Sequence, residues 1–140
     1  MRVIIDTNVI IDVLERREAF FADSYAVCKL AAEGILDAFT PASSITDVHY
    51  IIRKSTQDAS AARNAITTLL QLIRVCDTTA ADITAALAQN TPDFEDAVLA
   101  ATARREKAAY IITRDTSGFD NSAVPAISPS EFIASRNLIG

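Results

Sequence analysis

The sequence predicts an α/β protein in which a parallel sheet of four to five strands is covered by helices on both faces. Two observations carry this. Short, apolar, β-branched runs alternate with longer segments of helical spacing along the whole chain. The apolar runs are also continuous and do not alternate with polar residues, as expected of strands buried on both faces.

The elements follow in order. "RVIID" reads as the first strand and "TNVIIDVLER" as a short helix. "EAFFADSYAVCKLAAEG" has helical spacing and ends on Gly34, a natural helix stop. "ILDAFT" is the second strand. "PASSITDVHYIIRK" opens with Pro41 just inside a helix start and spaces Ile45, Val48, Ile51 and Ile52 helically. "ASAARNAITTLLQL" is a further helix and "IRVCD" a third strand. In "TAADITAALAQN", Thr79 and Asp82 form a capping pair. "TPDFEDAVLAATARREK" restarts a helix after Pro92, and "AAYIITRD" is the fourth strand. "TSGFDNSAVP" reads as a loop and "AIS" as a short fifth strand. "SPSEFIASR" is a last helix, with Ser128 and Glu131 as a capping box and Pro129 at its first position.

Composition narrows the function. The 140 residues are 50% hydrophobic, with 3 Gly and 4 Pro, and this fits one folded domain with a real core. No window approaches the roughly 18 apolar residues of a membrane span. Asp6 and Asp12 interrupt the first apolar stretch, so no signal peptide is expected there. Cys28 and Cys76 make no metal-type cluster, and two free thiols suit a reducing cytoplasm. The net charge of −5 makes the chain a poor bulk binder of polyanions.

The acids are not spread evenly. In open parallel sheets, ligands bind beyond the carboxyl ends of the strands. Asp6, Asp77 and Asp115 each follow a predicted strand. Asp47 lies early in one helix, and Asp93 and Asp96 lie three apart at the start of another. Carboxylates packed together raise one another's pKa unless a hard divalent cation relieves them. Mg²⁺ or Mn²⁺ among such acids polarises a phosphoryl oxygen and acidifies water near neutral pH. The one histidine, His49, and the absence of a His/Cys ligand cluster leave metal-assisted phosphodiester hydrolysis as the chemistry these residues suit best.

The chain also resembles a known family. "VIIDTNVIIDVL", "SSITDVHYIIRK", "DFEDAVLAATARREKAAYIITRD" and the following "SGF" are similar, in this order and at this chain length, to the PIN domains of VapC-like toxins. The resemblance implies a three-layer α/β/α sandwich, usually dimeric. It further implies an Mg²⁺- or Mn²⁺-dependent endoribonuclease acting on an RNA substrate, and a cognate antitoxin as partner. By position it makes Asp6, Asp96 and Asp115 metal ligands. Asp47 stands where most relatives have Glu and would reach the metal directly or through a water. Thr7, Asn8 and Thr113 would orient the acids by hydrogen bonding. Asp93 is assigned to the helix start or to a supporting role behind the ligands.

Other readings exist for each residue. Asp6 also suits an N-cap of the helix at Thr7. Asp47 could complete a capping box with Ser44. Asp77 reads as opening the turn before Thr79. Glu95 should point away from the Asp93/Asp96 face into solvent. Arg114 and the Arg16–Arg17 pair are the candidates for phosphate contacts. A receiver-type signalling domain would need an acid pair after the first strand and a Lys after the last. Here Asp6 stands alone and residues 115–130 hold no Lys. A non-catalytic interaction module on the same fold is the other alternative.

Overall fold

The computed structural model describes residues 1–139. Strands β1 (Arg2–Ile5), β2 (Asp37–Pro41), β3 (Arg74–Cys76), β4 (Tyr110–Ile112) and β5 (Ala126–Ile127) form one sheet in the order β3-β2-β1-β4-β5. Every pairing in it is parallel. The helices are α1 (Thr7–Leu14), α2 (Phe21–Ala32), α3 (Ala42–Thr56), α4 (Ala59–Leu72), α5 (Ala80–Leu87), α6 (Phe94–Arg105) and α7 (Pro129–Ile139).

The two-faced burial follows from strand periodicity. Val3 and Ile5 of β1 pack with Ile10, Val27, Val48, Leu69 and Phe132, which come from α1, α2, α3, α4 and α7. Ile4 points the other way, with Phe39 and Ile111, onto Leu99, Ala100 and Ala103 of α6. A sheet sandwiched between two helical layers results, as the sequence predicts.

Local signals hold in most places. Gly34 adopts φ +76. Its N–H reaches the Ala31 carbonyl while that of Ile35 reaches Leu30, closing α2 as a left-handed cap does. Thr79 and Asp82 form the full capping box of α5. Three details differ. Pro41 is not inside α3; it is the last residue of β2 and the N-cap residue, with ψ 149. Its fixed φ suits both ends of the junction. The predicted loop after β4 contains a 3-10 turn over Thr116–Phe119. At α7 the Ser128 hydroxyl accepts from the Glu131 N–H, which is the hydroxyl half of the expected box.

One buried ion pair braces the fold beside β4. Asp12 of α1 is fully buried. Arg114 lies 102 residues later and donates to it through Nε at 2.6 Å and NH2 at 3.2 Å. Its guanidinium also lies 4.0 Å from the centre of the Phe20 ring. Removing one partner strands the other charge. We therefore expect Asp12→Ala to cost about 3 kcal/mol of stability in urea unfolding. The Asp12→Ala/Arg114→Ala pair should cost less than the sum of the single changes.

Candidate functional site

The strand order fixes where a site can form. The chain winds from β1 to β2 and β3, then crosses back to β4 on the other side of β1. The crevice at such a reversal, beyond the carboxyl ends, lies between β1 and β4. Ile5 pairs with Ile112, and the Asp6 N–H donates to the Ile112 carbonyl at 3.0 Å. Asp6 and Thr113 are therefore neighbours across the crevice. Asp77 follows β3, an edge strand two places from β1, and its carbonyl instead accepts from Arg105. This agrees with its reading as a turn residue.

Asp6 is held on both oxygens. Its Oδ1 accepts from the Thr7 N–H at 2.7 Å, so it does cap α1, and its Oδ2 accepts from the Thr113 hydroxyl at 2.9 Å. Thr113 in turn accepts from Asn8 Nδ2 at 3.2 Å and from the Asp115 N–H at 3.1 Å. Asn8 Oδ1 accepts from the Arg114 N–H at 3.3 Å. Capping and site placement are thus compatible at Asp6.

Asp96 enters from the first turn of α6. Asp93 is the N-cap of that helix and accepts from the Asp96 N–H at 3.1 Å. A helix N-terminus tolerates negative charge, so both acids are locally comfortable there. Gly118, in the 3-10 turn, lies close against them. A Cβ on it would sit 2.6 Å from Asp96 Oδ2 and 3.4 Å from Asp115 Oδ2. Asp115 also accepts from the Ser117 hydroxyl at 3.0 Å.

Three adjoining hollows share Asp96. The largest, about 580 Å³, is bordered by Asp6, Asp47, Glu95 and Asp96. A second holds Asp93, Asp96, Asp115 and Gly118. A third joins Asp6, Asn8, Arg17, Glu95 and Asp115. Asp6, Asp47, Asp96 and Asp115 thus border one crevice. The Ser44–Asp47 capping box does not form, because α3 already begins at Ala42 and Ser44 is buried inside it. Glu95 corrects its expectation. It is exposed, yet it lines the same hollows, because a helix end aimed at a crevice presents its whole first turn there.

The electrostatics report crowding. Burial pushes Asp96 up to about 7, helped by the charges of Asp93, Asp6, Asp115 and Glu95. Burial also raises Asp6, against the Thr113 and Thr7 hydrogen bonds that hold it down. Glu95 is raised first by the charge of Asp47. Of the candidate phosphate-binding cations, Arg114 is engaged by Asp12. Arg17 borders the crevice beside Glu15, 3.2 Å away. Arg16, at φ 50, lies 5.9 Å from the Phe21 ring centre.

A family model described as PIN domain matches residues 2–117. The chain belongs to the PIN domain family. Comparison with curated proteins gives no sequence match to this PIN domain. Solved structures match its fold. VapBC2 from Rickettsia felis, bound to a DNA fragment from its promoter, aligns with TM-score 0.69 at 14% identity, covering 91% of this chain and 98% of that one. A toxin–antitoxin complex from Klebsiella pneumoniae gives 0.65 at 19% identity, over 91% and 97%. VapC20 from Mycobacterium tuberculosis, a Sarcin-Ricin loop cleaving toxin, gives 0.62 at 16% identity, over 78% and 86%.

The donor chemistry of this PIN domain's crevice fits a hard divalent cation: oxygen ligands only, short of counter-charge, with a Gly where a side chain would displace them. Among the described residues no three acids are already drawn into one closed ligand group. Mg²⁺ does not need one, since it keeps several waters and takes one or two carboxylates.

Two outcomes follow. In metal-free protein, Asp96 keeps its proton up to about 7, against an ordinary 3.8. Between these values the folded state holds a proton that the unfolded state has lost. Stability from this residue therefore falls as pH rises from about 4 to about 7, then levels off. Thermal melts in EDTA should show this decline in the difference between wild type and Asp96→Asn. Gly118→Ala should leave the melting temperature nearly unchanged, since the added methyl meets only carboxylate ends. Mn²⁺ affinity by calorimetry should drop about 10- to 100-fold, as when a ligand loses its orienting partner.

Proposed function

We propose that this chain is a divalent-metal-dependent endoribonuclease that hydrolyses RNA phosphodiester bonds, the toxin of a toxin–antitoxin pair. The observation that carries this reading is the crevice itself: Asp6, Asp96 and Asp115 border one hollow at the switch point, Arg17 at its edge is engaged with Glu15, and Asp96 is raised to about 7. Two of the structural neighbours support the biological setting, one a Sarcin-Ricin loop cleaving toxin and another a toxin–antitoxin complex. In this reading the protein works in the cytoplasm, as a homodimer, and is held in check by a cognate antitoxin. No helix among the described residues is long and apolar enough to cross a membrane.

Asp6, Asp96 and Asp115 would hold Mg²⁺ or Mn²⁺, with Asp47 contributing directly or through water. When bound, the cation neutralises charge on the phosphodiester and acidifies water for in-line attack. The chain's own residues prepare the site. Thr113 and the Thr7 N–H fix both oxygens of Asp6, so that its carboxylate does not rotate. Asp93 anchors the first turn of α6 and so places Asp96. Gly118 lets the loop close on both acids without displacing them. Asp96, raised to about 7, would have to be deprotonated to hold a cation. Arg17, at the crevice edge, is the cation best placed for a flanking phosphate.

The test is cleavage of a labelled pool of tRNA and structured RNA in Mg²⁺, Mn²⁺ or EDTA, with Asp96→Asn purified in parallel. Discrete cuts that require metal, slowed roughly 100-fold or more in the variant, are expected. Equal, intact RNA in every lane, together with no Mn²⁺ heat in calorimetry, would leave only a non-catalytic module on the PIN fold.

A further inference from the structure

A separate hollow of about 360 Å³ lies at the carboxyl edge of the sheet. It is bordered by Phe20, Asp23 and Ser24 at the start of α2, by Arg114 after β4, and by Ser128 and Ser130 at the start of α7. It shares no lining residue with the three hollows that meet at Asp96. The Thr113 N–H donates to the Ile127 carbonyl at 3.0 Å. The start of α7 therefore adjoins the segment, Thr113 to Asp115, that shapes the crevice.

Its lining holds donors that the fold does not use. Ser24 is fully buried, and among the described residues its hydroxyl is the one buried side-chain oxygen without a hydrogen-bond partner. A helical hydroxyl can turn back to a carbonyl one turn earlier, as those of Thr67 and Thr68 do, but that of Ser24 does not. A dry, unpaired group of this kind is costly, which favours a ligand that pairs it. Arg114 gives Nε and one terminal nitrogen to Asp12, and its other terminal nitrogen makes no hydrogen bond among the described residues. The Phe20 ring, 4.0 Å away, holds the guanidinium in place. At α7, Pro129 has no N–H, while those of Glu131 and Phe132 go to the Ser128 hydroxyl and carbonyl. The Ser130 N–H is left over, at the positive end of an 11-residue helix.

A guanidinium, a helix N-terminus and a hydroxyl together suit an oxyanion. Asp23 and Asp12 set its charge. Asp23 is exposed on the same rim, and Asp12 already offsets Arg114. This balance opposes a group with two negative charges, such as a free phosphate, and accepts one with a single charge, such as a phosphodiester. We propose that the hollow binds a non-scissile phosphodiester of the substrate RNA through Arg114, the Ser130 N–H and the Ser24 hydroxyl. This rests on the nuclease reading and adds a backbone anchor outside the crevice. Phosphate contacts fix register without reading sequence, so the anchor would position the strand while the acids carry the reaction.

The probe is dimethyl phosphate, a phosphodiester with neither base nor sugar, titrated into isotope-labelled protein in EDTA and followed by amide NMR. The Ser24, Arg114 and Ser130 amides should shift, and those of Asp47 and Glu95 should not. Inorganic phosphate at neutral pH should bind more weakly, and Asp23→Asn should narrow that gap. Arg114→Ala would strand Asp12, so the informative variant is Ser24→Ala. It should weaken dimethyl phosphate roughly 10-fold, the effect of one hydrogen bond to a charged group. It should nevertheless melt no lower than wild type, because the hydroxyl it removes is buried without a partner. On an RNA that the wild type cuts, Ser24→Ala should raise KM with kcat little changed and Mn²⁺ affinity equal to wild type. Unshifted amides, or an unaltered KM in Ser24→Ala, overturn the proposal while metal-dependent cleavage still stands. Tighter binding of inorganic phosphate than of the diester would overturn it in favour of a free dianion. Tighter binding of acetate would overturn it in favour of an acidic side chain of a protein partner. Failure of wild type both to bind Mn²⁺ and to cut RNA would instead remove the nuclease reading, and the substrate RNA as the source of the diester with it.

Discussion

The carboxyl edge of the sheet depends on one hydroxyl. Thr113 is completely buried. It spends its single proton on Asp6 at 2.9 Å and accepts from Asn8 at 3.2 Å and from the Asp115 backbone at 3.1 Å. A threonine hydroxyl has one donor and two acceptor positions, so its capacity is full. Through it the orientation of Asp6, the entry of α1 and the departure of the loop bearing Asp115 become a single arrangement. A buried node of this kind is costly to leave unmade, because each lost partner stays dry and unpaired. The position of two acids contributed by segments more than a hundred residues apart is thereby settled by packing, before any ligand arrives.

Counter-charge is distributed unevenly around this edge. Arg114 is committed to Asp12, Arg105 to Asp82, and Arg2 and Arg74 to Asp37. Asp37 is held below its ordinary range by the Arg74 hydrogen bond, which together with Arg2 outweighs the effect of burial. Burial acts on Asp82 as well, but the Arg105 and Thr79 hydrogen bonds outweigh it and hold that acid low. Asp6 and Asp96 are raised instead. The contrast is physical and local. Structural acids have guanidinium partners, whereas the acids of the crevice have mainly one another. A fold selected only for stability would pair or remove the latter, because like charges at close range oppose folding.

The sequence made the alternation of strands and helices legible, because continuous apolar runs such as "RVII" and "YII" have no other comfortable place. It also made Asp6 and Asp115 legible, since strand ends in a parallel sheet face the binding edge. What it missed depends on distance or on ends. The partner of Arg114 is 102 residues away, so no local pattern showed that its guanidinium was occupied. Glu95 was misplaced because helical periodicity describes the middle of a helix, whereas its first turn opens in all directions. Ser44 could not be dismissed as a cap until Pro41 was seen to end β2 and start α3. Gly118 lies within "SGF", yet what excludes a side chain there is Asp96 from another segment, whose Oδ2 would be 2.6 Å from an added Cβ, and no spacing encodes that.

The missing counter-charge also orders events in the proposed nuclease. A net charge of −5, with Asp6, Asp96 and Asp115 bordering the crevice, opposes the approach of any polyanion. A phosphodiester can therefore settle among Asp6, Asp96 and Asp115 only after a cation has offset them.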